Sequence, residues 1–546
     1  MLKRAKEYLS LPWVSVLCTL LAIAGEIGMI RIFMGIGSDK FAQVSMTHNF
    51  LQGHGLTLTS STIEDLGKML YLPHNGWPPG YNLFLSLFLP FVGDNYMLAC
   101  FLVDCLSVVL FFGYCRKLLL LIKFPVWLTN LFLLFQGFFI VSNAGSTDHL
   151  SLTFLTASLY YLVKSIGSDT ISWKTITPLL FFLLLACFTR YQNIPVAVCL
   201  AATLIATGLL QNKVSWSHSG VILLSCIMLF YGGFLLYQRF HMGSAYYLLP
   251  VKRGIYPGNL ALMHPFVVSG FINLHFYAVQ LGIIFNNEYH TWITAARWVG
   301  LPAIVLLTAA LTYYAIRRKG KIDNSFTGFF IFGYIIYIST IGLLVYLALT
   351  HDKNIGPPLF TWTYVMDERY YIFPVFFTNI CSWWYCFVRI PKNNTRWARW
   401  PILLFTLLTT VEVAHGIYYV VKKCSKGVTP LQDVPYKEPA EAFVIRFIKE
   451  TQQRDPNRQV VITAFSKRHA FSAGLYGASG LFNPMELNNR LPRSSSNPAV
   501  LLLMIHKNEL FLLEPFLRQP GVKLLATIKD YSAFTYYVEP AERNHP

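Results

Sequence analysis

Long apolar runs, with short basic clusters between them, fill roughly the first three-quarters of the chain. A helix needs about 20 apolar residues to cross the hydrocarbon core of a bilayer. Runs of that order lie near 12–31, 95–115, 125–142, 150–164, 176–190, 193–210, 218–237, 293–316, 327–349, 370–388 and 401–421. The pattern predicts a mainly α, polytopic membrane protein with about eleven transmembrane helices. The fifth and sixth runs are short and interrupted by Arg190 and Pro195, which also fits a tilted or broken pair. The first run is long enough to span and is followed by no small-residue cleavage pattern, so it reads as an anchor and not a signal peptide.

Beyond residue 424 the pattern changes. Ala440, Phe443, Phe447 and Ile448 recur at helical spacing within 439–453, which predicts an amphipathic helix. Residues 459–464 and 499–505 are continuous apolar runs of strand length, and 522–528 and 531–538 flank Lys529-Asp530 as a hairpin would. The expected organisation is therefore a transmembrane domain over 1–423 and a small extracytoplasmic α/β domain over 424–546.

Composition agrees. Only 13% of the 546 residues are charged, 16% are aromatic and mean hydropathy is +0.47. A soluble protein of this size would need far more charge to cover its surface. The net charge of +18 sits in short clusters between apolar runs, a pattern of membrane anchors and not of a nucleic-acid groove. Lys3, Arg4, Lys6, Arg116, Lys117, Lys123, Lys164, Lys174, Lys213, Arg317, Arg318 and Arg389 all fall on one side if the N-terminus is cytoplasmic. The ten cysteines include Cys100, Cys105, Cys187, Cys199 and Cys226 inside apolar runs and no CxxC occurs, so they read as small buried residues.

With that orientation, a loop of roughly 60 residues between the first two spans lies outside, and its polar content marks it as the candidate active site. Asp39 stands where the first span meets water. A carboxylate there can remove the proton of an acceptor hydroxyl as that oxygen attacks a lipid-borne group. Ser38 and Asp39 are equally good N-caps for a helix starting near Lys40. Further on, His74, Trp77 and Tyr81 surround Pro78-Pro79-Gly80; the rings suit stacking on a sugar or isoprenoid, or an interfacial aromatic belt. Asp148, in Ser146-Thr147-Asp148-His149, is an N-cap for the fourth span or a site acid. Arg369 and Tyr370 begin a late span, where Arg offers a phosphate bidentate hydrogen bonds; an interfacial belt explains them too. Arg190, at the outer turn between the fifth and sixth spans, is a second candidate of this kind, and Lys252 and Arg253 would add positive charge. Glu26 is an ionisable group inside the first span and Arg31, five residues on, is its expected partner. Asp104 is in a similar position in the second span.

The order Gly37-Ser38-Asp39, Phe41 and Met46 on a helical face, Asn49–Gly53–Gly55, then Trp77-Pro78-Pro79-Gly80-Tyr81 and an apolar helix, resembles the GT-C glycosyltransferases. Within them it is most similar to the bacterial branch related to protein O-mannosyltransferases and lipid A aminoarabinose transferases. The similarity covers roughly residues 10–390. It implies the GT-C fold, a catalytic acid at Asp39 in the loop 32–94, and a polyprenyl phosphate sugar, such as an undecaprenyl phosphate sugar, as donor. It also implies a supporting role for Asp148 toward acceptor or metal, and an Arg-Tyr-x-x-Pro element that Arg369 and Tyr370 match. Two departures stand out. Family members commonly show Asp-Glu where this chain has Asp39-Lys40. The Glu-Lys-Pro element of the aminoarabinose branch is replaced by Gly76-Trp77-Pro78, which argues against carrying over its zinc site. A divalent metal stays open as a cofactor; His74, His264 and His275 lie on the outer side, without tight ligand spacing.

The expectation is an inner-membrane, multi-pass glycosyltransferase acting on an extracytoplasmic glycan, lipid or protein acceptor. A polysaccharide polymerase or ligase with a diphosphate-lipid donor is the nearest alternative, and a transporter or flippase the non-enzymatic one. Transporters commonly show repeat symmetry and broken mid-membrane helices; here no matching halves occur.

Overall fold

The computed structural model describes residues 2–33, 38–74, 77–93, 95–139, 147–166, 172–210, 212–242, 372–389, 399–425, 427, 439–540 and the single positions 281, 285, 291 and 302. The runs near 293–316 and 327–349, together with Lys252, Arg253, His264, His275, Arg369 and Tyr370, lie outside the described residues. The chain divides into two compact units, Met1–Phe33 with Asp104–Val428 and Met34–Val103 with Thr429–Pro546.

The first unit is helical. It contains α1 (Leu2–Leu9), α2 (Pro12–Phe33), the greater part of α5 (Tyr96–Leu121), α6 (Val126–Phe139), α7 (Thr147–Ile166), α8 (Trp173–Thr189), α9 (Asn193–Leu210), α10 (Val214–Met242), α11 (Ile372–Trp384) and α12 (Arg399–Ser425). Among the described residues, α2, α5 and α10 carry segments long and apolar enough to cross a membrane, and α6, α8, α9 and α11 carry shorter apolar ones. α2 buries Val14, Cys18, Ala22, Glu26, Met29 and Ile30 along one stripe and leaves Val16, Leu17, Leu20 and Leu21 exposed. An apolar face turned outward is what a lipid-facing helix presents. One end of α2 is locked to α5 and α6: Arg116 donates to the Ser15 carbonyl at 2.9 Å and to Thr19 Oγ1 at 2.7 Å, and Ser15 Oγ donates to Asn130 Oδ1 at 2.9 Å. α7 is buried almost all round and rich in hydroxyls. Two of them are satisfied within the helix: Thr156 Oγ1 donates to the Leu152 carbonyl and Ser158 Oγ to that of Phe154, at 2.7 and 2.8 Å. The break between the fifth and sixth apolar runs falls at Arg190, which caps α8 in an extended conformation (φ −146°, ψ 128°).

The second unit is mixed. It comprises α3 (Ser38–Leu51), β1 (Thr57–Thr62), β2 (Asp65–Pro73), α4 (Gly80–Val92), α13 (Pro439–Arg454), β3 (Gln459–Thr463), α14 (Lys467–Ala473), β4 (Ser479–Leu481), β5 (Ala499–His506), β6 (Lys523–Ile528) and β7 (Tyr531–Val538). The helix, the two apolar strands and the hairpin read from the tail are all present. The strands form one seven-stranded sheet ordered β2-β1-β4-β3-β5-β7-β6. Its centre is parallel, β3 pairing with both β4 and β5, and β5 is buried on both faces, as its unbroken apolar sequence requires. One face packs Val460, Ile462, Val500 and Leu502 against Val444 and Ile448 of α13; the other packs Val461, Leu501 and Leu503 with Leu487 and Phe516.

The sequence boundary near 424 runs through this sheet. The hairpin β1–β2 comes from the loop after the first apolar run, and β1 pairs in parallel with β4 of the tail at Ser60 and Gly480. The junction is polar. Ser60 Oγ donates to the Gly480 carbonyl at 3.0 Å, Ser61 and Ser479 hydroxyls meet at 2.6 Å, and the Leu66 N–H donates to the Arg493 carbonyl at 2.8 Å. Gly67 sits so close to Asn497 that a Cβ there would stand 2.2 Å from its carbonyl oxygen.

Candidate functional site

The candidate residues fall into two groups, one in each unit. In the first unit the structure brings Asp148 and Arg190 together. Asp148 lies in the first turn of α7, where the helix dipole favours an acid. Arg190 Nε donates to Asp148 Oδ1 at 2.7 Å, and Nη2 donates to the same oxygen. The carboxylate is 1% exposed and the guanidinium 12%, so the pair is desolvated and a lone member would be costly to leave behind. Holding two N–H groups on one oxygen orients the plane of the guanidinium. Asn193 closes the same turn, its Nδ2 donating to Ser151 Oγ and to the Ala186 carbonyl, both at 2.7 Å.

Below this pair lies a polar set that the sequence reading missed. His149 Nδ1 and Ser107 Oγ are 2.7 Å apart, and Ser107 Oγ is 2.9 Å from Thr153 Oγ1. On the other side of the ring, Nε2 faces Glu26 Oε1 at 3.9 Å, with both side chains fully buried. Among the described residues, neither Glu26 oxygen, nor His149 Nε2, has a hydrogen-bond partner. Glu26 therefore looks toward His149, where the sequence suggested Arg31. The spacing of 42 residues between Ser107 and His149 gave no local signal for this contact.

In the second unit Asp39 is the second residue of α3. That helix is fixed from several sides. Asn82 Nδ2, on α4, donates to the Gln43 carbonyl at 2.7 Å and to Thr47 Oγ1 at 3.1 Å. Asn49 Nδ2 donates to the Thr57 carbonyl at 2.8 Å, and Gly53 and Gly55, at φ +85° and +71°, turn the chain from α3 into β1. The Asn49–Gly53–Gly55 pattern thus marks a helix-to-strand corner. Phe41 and Met46 are buried. His74 and Trp77 lie together, ring centroids 5.2 Å apart, and Phe471 of the tail packs 6.3 and 6.4 Å from them. Tyr81 is fully buried at the start of α4.

Among the described residues, no three or more His, Cys, Asp or Glu side chains converge as a metal site would need, and Asp148 is engaged by Arg190.

No family model matches the chain, and no curated protein matches it. Among solved structures it is similar to ArnT from Cupriavidus metallidurans bound to undecaprenyl phosphate, at 12% identity over 96% of this chain and 98% of that one, with a TM-score of 0.48. It is also similar to the apo oligosaccharyltransferase of Archaeoglobus fulgidus, at 9% identity over 98% of this chain and 75% of that one, with a TM-score of 0.46.

Proposed function

We propose that this chain is an integral membrane glycosyltransferase of the GT-C class, with an extracytoplasmic site and a cytoplasmic N-terminus. It transfers one sugar from a polyprenyl phosphate to an acceptor hydroxyl. Asp39 takes the hydroxyl proton as the acceptor oxygen bonds to the anomeric carbon; the bond from that carbon to the phosphate oxygen breaks, and the polyprenyl phosphate leaves with the electron pair. A base positioned within hydrogen-bond reach of the attacking hydroxyl contributes typically 10²–10⁴-fold. Leaving-group charge is met by cations, for which Arg190, oriented by Asp148, and Arg369 are the proposed ligands. His74 and Trp77 supply the aromatic surface.

The observation that carries this reading is the ordered motif set of the first loop, with Asp39 opening a helix braced by Asn82 and Asn49. Membranes containing the protein, supplied with a radiolabelled polyprenyl-phosphate sugar, should label an extracytoplasmic acceptor. Asp39→Asn should lower the rate by 10² or more while insertion stays normal; near-normal turnover would remove Asp39 as base. Labelling only from a diphosphate-linked donor would favour the polymerase or ligase class.

A further inference from the structure

The tail enters the catalytic loop at a second place besides the sheet. α14 packs against α3, the helix that opens with Asp39. A tight point of approach is Gly474, just past the end of α14. A Cβ on Gly474 would stand 2.1 Å from Thr59 Oγ1 on β1 and 3.0 Å from Ser45 Oγ on α3. Thr59 is a buried β-branched residue in a strand, and Ser45 is buried too, so neither has open space to retreat into. Three residues earlier, Phe471 backs the His74–Trp77 pair and meets Phe482 at 5.4 Å. One short helix of the tail therefore supports both the acid-bearing helix and the aromatic pair.

We propose that the C-terminal segment is a working part of the catalytic loop, and that Gly474 is a positioning residue which sets where α3, and with it Asp39, is held. This rests on the reading of Asp39 as base. The glycine is needed because a Cβ at 474 would strike the buried Thr59 hydroxyl on β1 and crowd that of Ser45 on α3. Alanine at 474 would stand about 1.3 Å inside an ordinary 3.4 Å contact with Thr59 Oγ1 on β1 and about 0.4 Å inside one with Ser45 Oγ on α3, so β1 must give way, and α3, tied to β1 through Asn49 and Thr57, moves with it. A displacement of about 1 Å at a catalytic group costs on the order of 10²-fold in rate.

The test uses the full-length protein in membranes and in detergent. Gly474→Ala should lower kcat on the order of a hundredfold with donor KM changed less than about threefold. The double variant Gly474→Ala with Thr59→Ala, which removes the struck hydroxyl, should return kcat to within about threefold of the parent. In parallel, hydrogen exchange over 38–51 should quicken in Gly474→Ala and recover in the double variant. Unchanged kcat in Gly474→Ala, or a loss that Thr59→Ala fails to rescue, overturns the proposal. If no polyprenyl-phosphate sugar is used even by the parent protein, the enzymatic reading fails and exchange decides alone. Protection over 38–51 that ignores Gly474→Ala then refutes the positioning contact, and protection that falls and is rescued upholds it.

Discussion

Asp65 offers a quantitative probe of the junction between the first loop and the tail. Its Oδ1 accepts from the N–H groups of Gly67 and Ser495 at 3.2 and 3.1 Å and from Ser496 Oγ at 3.2 Å; its Oδ2 accepts from Ser495 Oγ at 2.5 Å. A buried hydrogen bond to a charged group is worth about 1.5–3 kcal/mol, but this site is partly exposed and water competes. About 0.5–1 kcal/mol for each of the four bonds is the better figure, or roughly 2–4 kcal/mol for Asp65→Ala. At 1.4 kcal/mol per factor of ten, local opening of β1–β2 should become roughly thirty- to seven-hundredfold more frequent. Hydrogen exchange read by mass spectrometry on peptides spanning 57–73 of the intact protein measures this directly. The effect has a pH signature. Burial opposes ionisation of Asp65, but the hydrogen bonds from Ser495, Ser496 and Gly67 outweigh it and hold the carboxyl below its ordinary value of 3.8. A carboxyl lowered on folding adds stability that is fully present above the ordinary value and is lost as pH falls through the folded one. The gap between Asp65→Ala and the parent should thus be constant from pH 5 to 8 and close below about pH 4. A change in protection under threefold at pH 7, or an undiminished gap at pH 3, would sink the reasoning.

Two further expectations concern the first unit. Asp148→Ala and Arg190→Ala should each destabilise the protein by about 2–4 kcal/mol, since each strands a desolvated charge, and the double variant should cost about 2 kcal/mol less than their sum; additive apparent unfolding midpoints would show that the pair does not act as a unit. Glu26→Met removes a carboxyl whose oxygens lack hydrogen-bond partners among the described residues, which is worth about 1–3 kcal/mol. The apparent midpoint in detergent should therefore rise, and a fall would mean that Glu26 contributes more through His149 than its burial costs.

What could be read from sequence followed the strength of the apolar signal. The runs along α2, α5 and α10 declared themselves by length, and β3 and β5 by unbroken hydrophobicity, because a strand covered on both faces has no polar positions to interrupt it. β1 gave no such signal. Thr57–Thr62 reads Thr-Leu-Thr-Ser-Ser-Thr, a loop by composition, yet it is almost wholly buried. Its hydroxyls are satisfied by Gly480, Ser479 and Lys68, partners that no local pattern reveals. The site shows the same division. Asp39, Asp148 and Arg190 stood out as polar residues at the ends of apolar runs. That Asp148 and Arg190 bind each other, that His149 faces Glu26, and that Tyr81 turns inward depend on contacts between separate helices or on packing within the loop.

The interleaved sheet also imposes an order of assembly. Ser60 and Gly480, partners across β1 and β4, are 420 residues apart. At roughly 5–20 residues per second of synthesis, the early hairpin waits on the order of 20–80 s for the strand that completes it. A hydrophobic edge left open that long would invite pairing with a stranger. The serines and threonines of β1 keep the waiting edge wettable, so the composition that hid this strand from the eye is also what lets it stay harmless until its neighbour arrives.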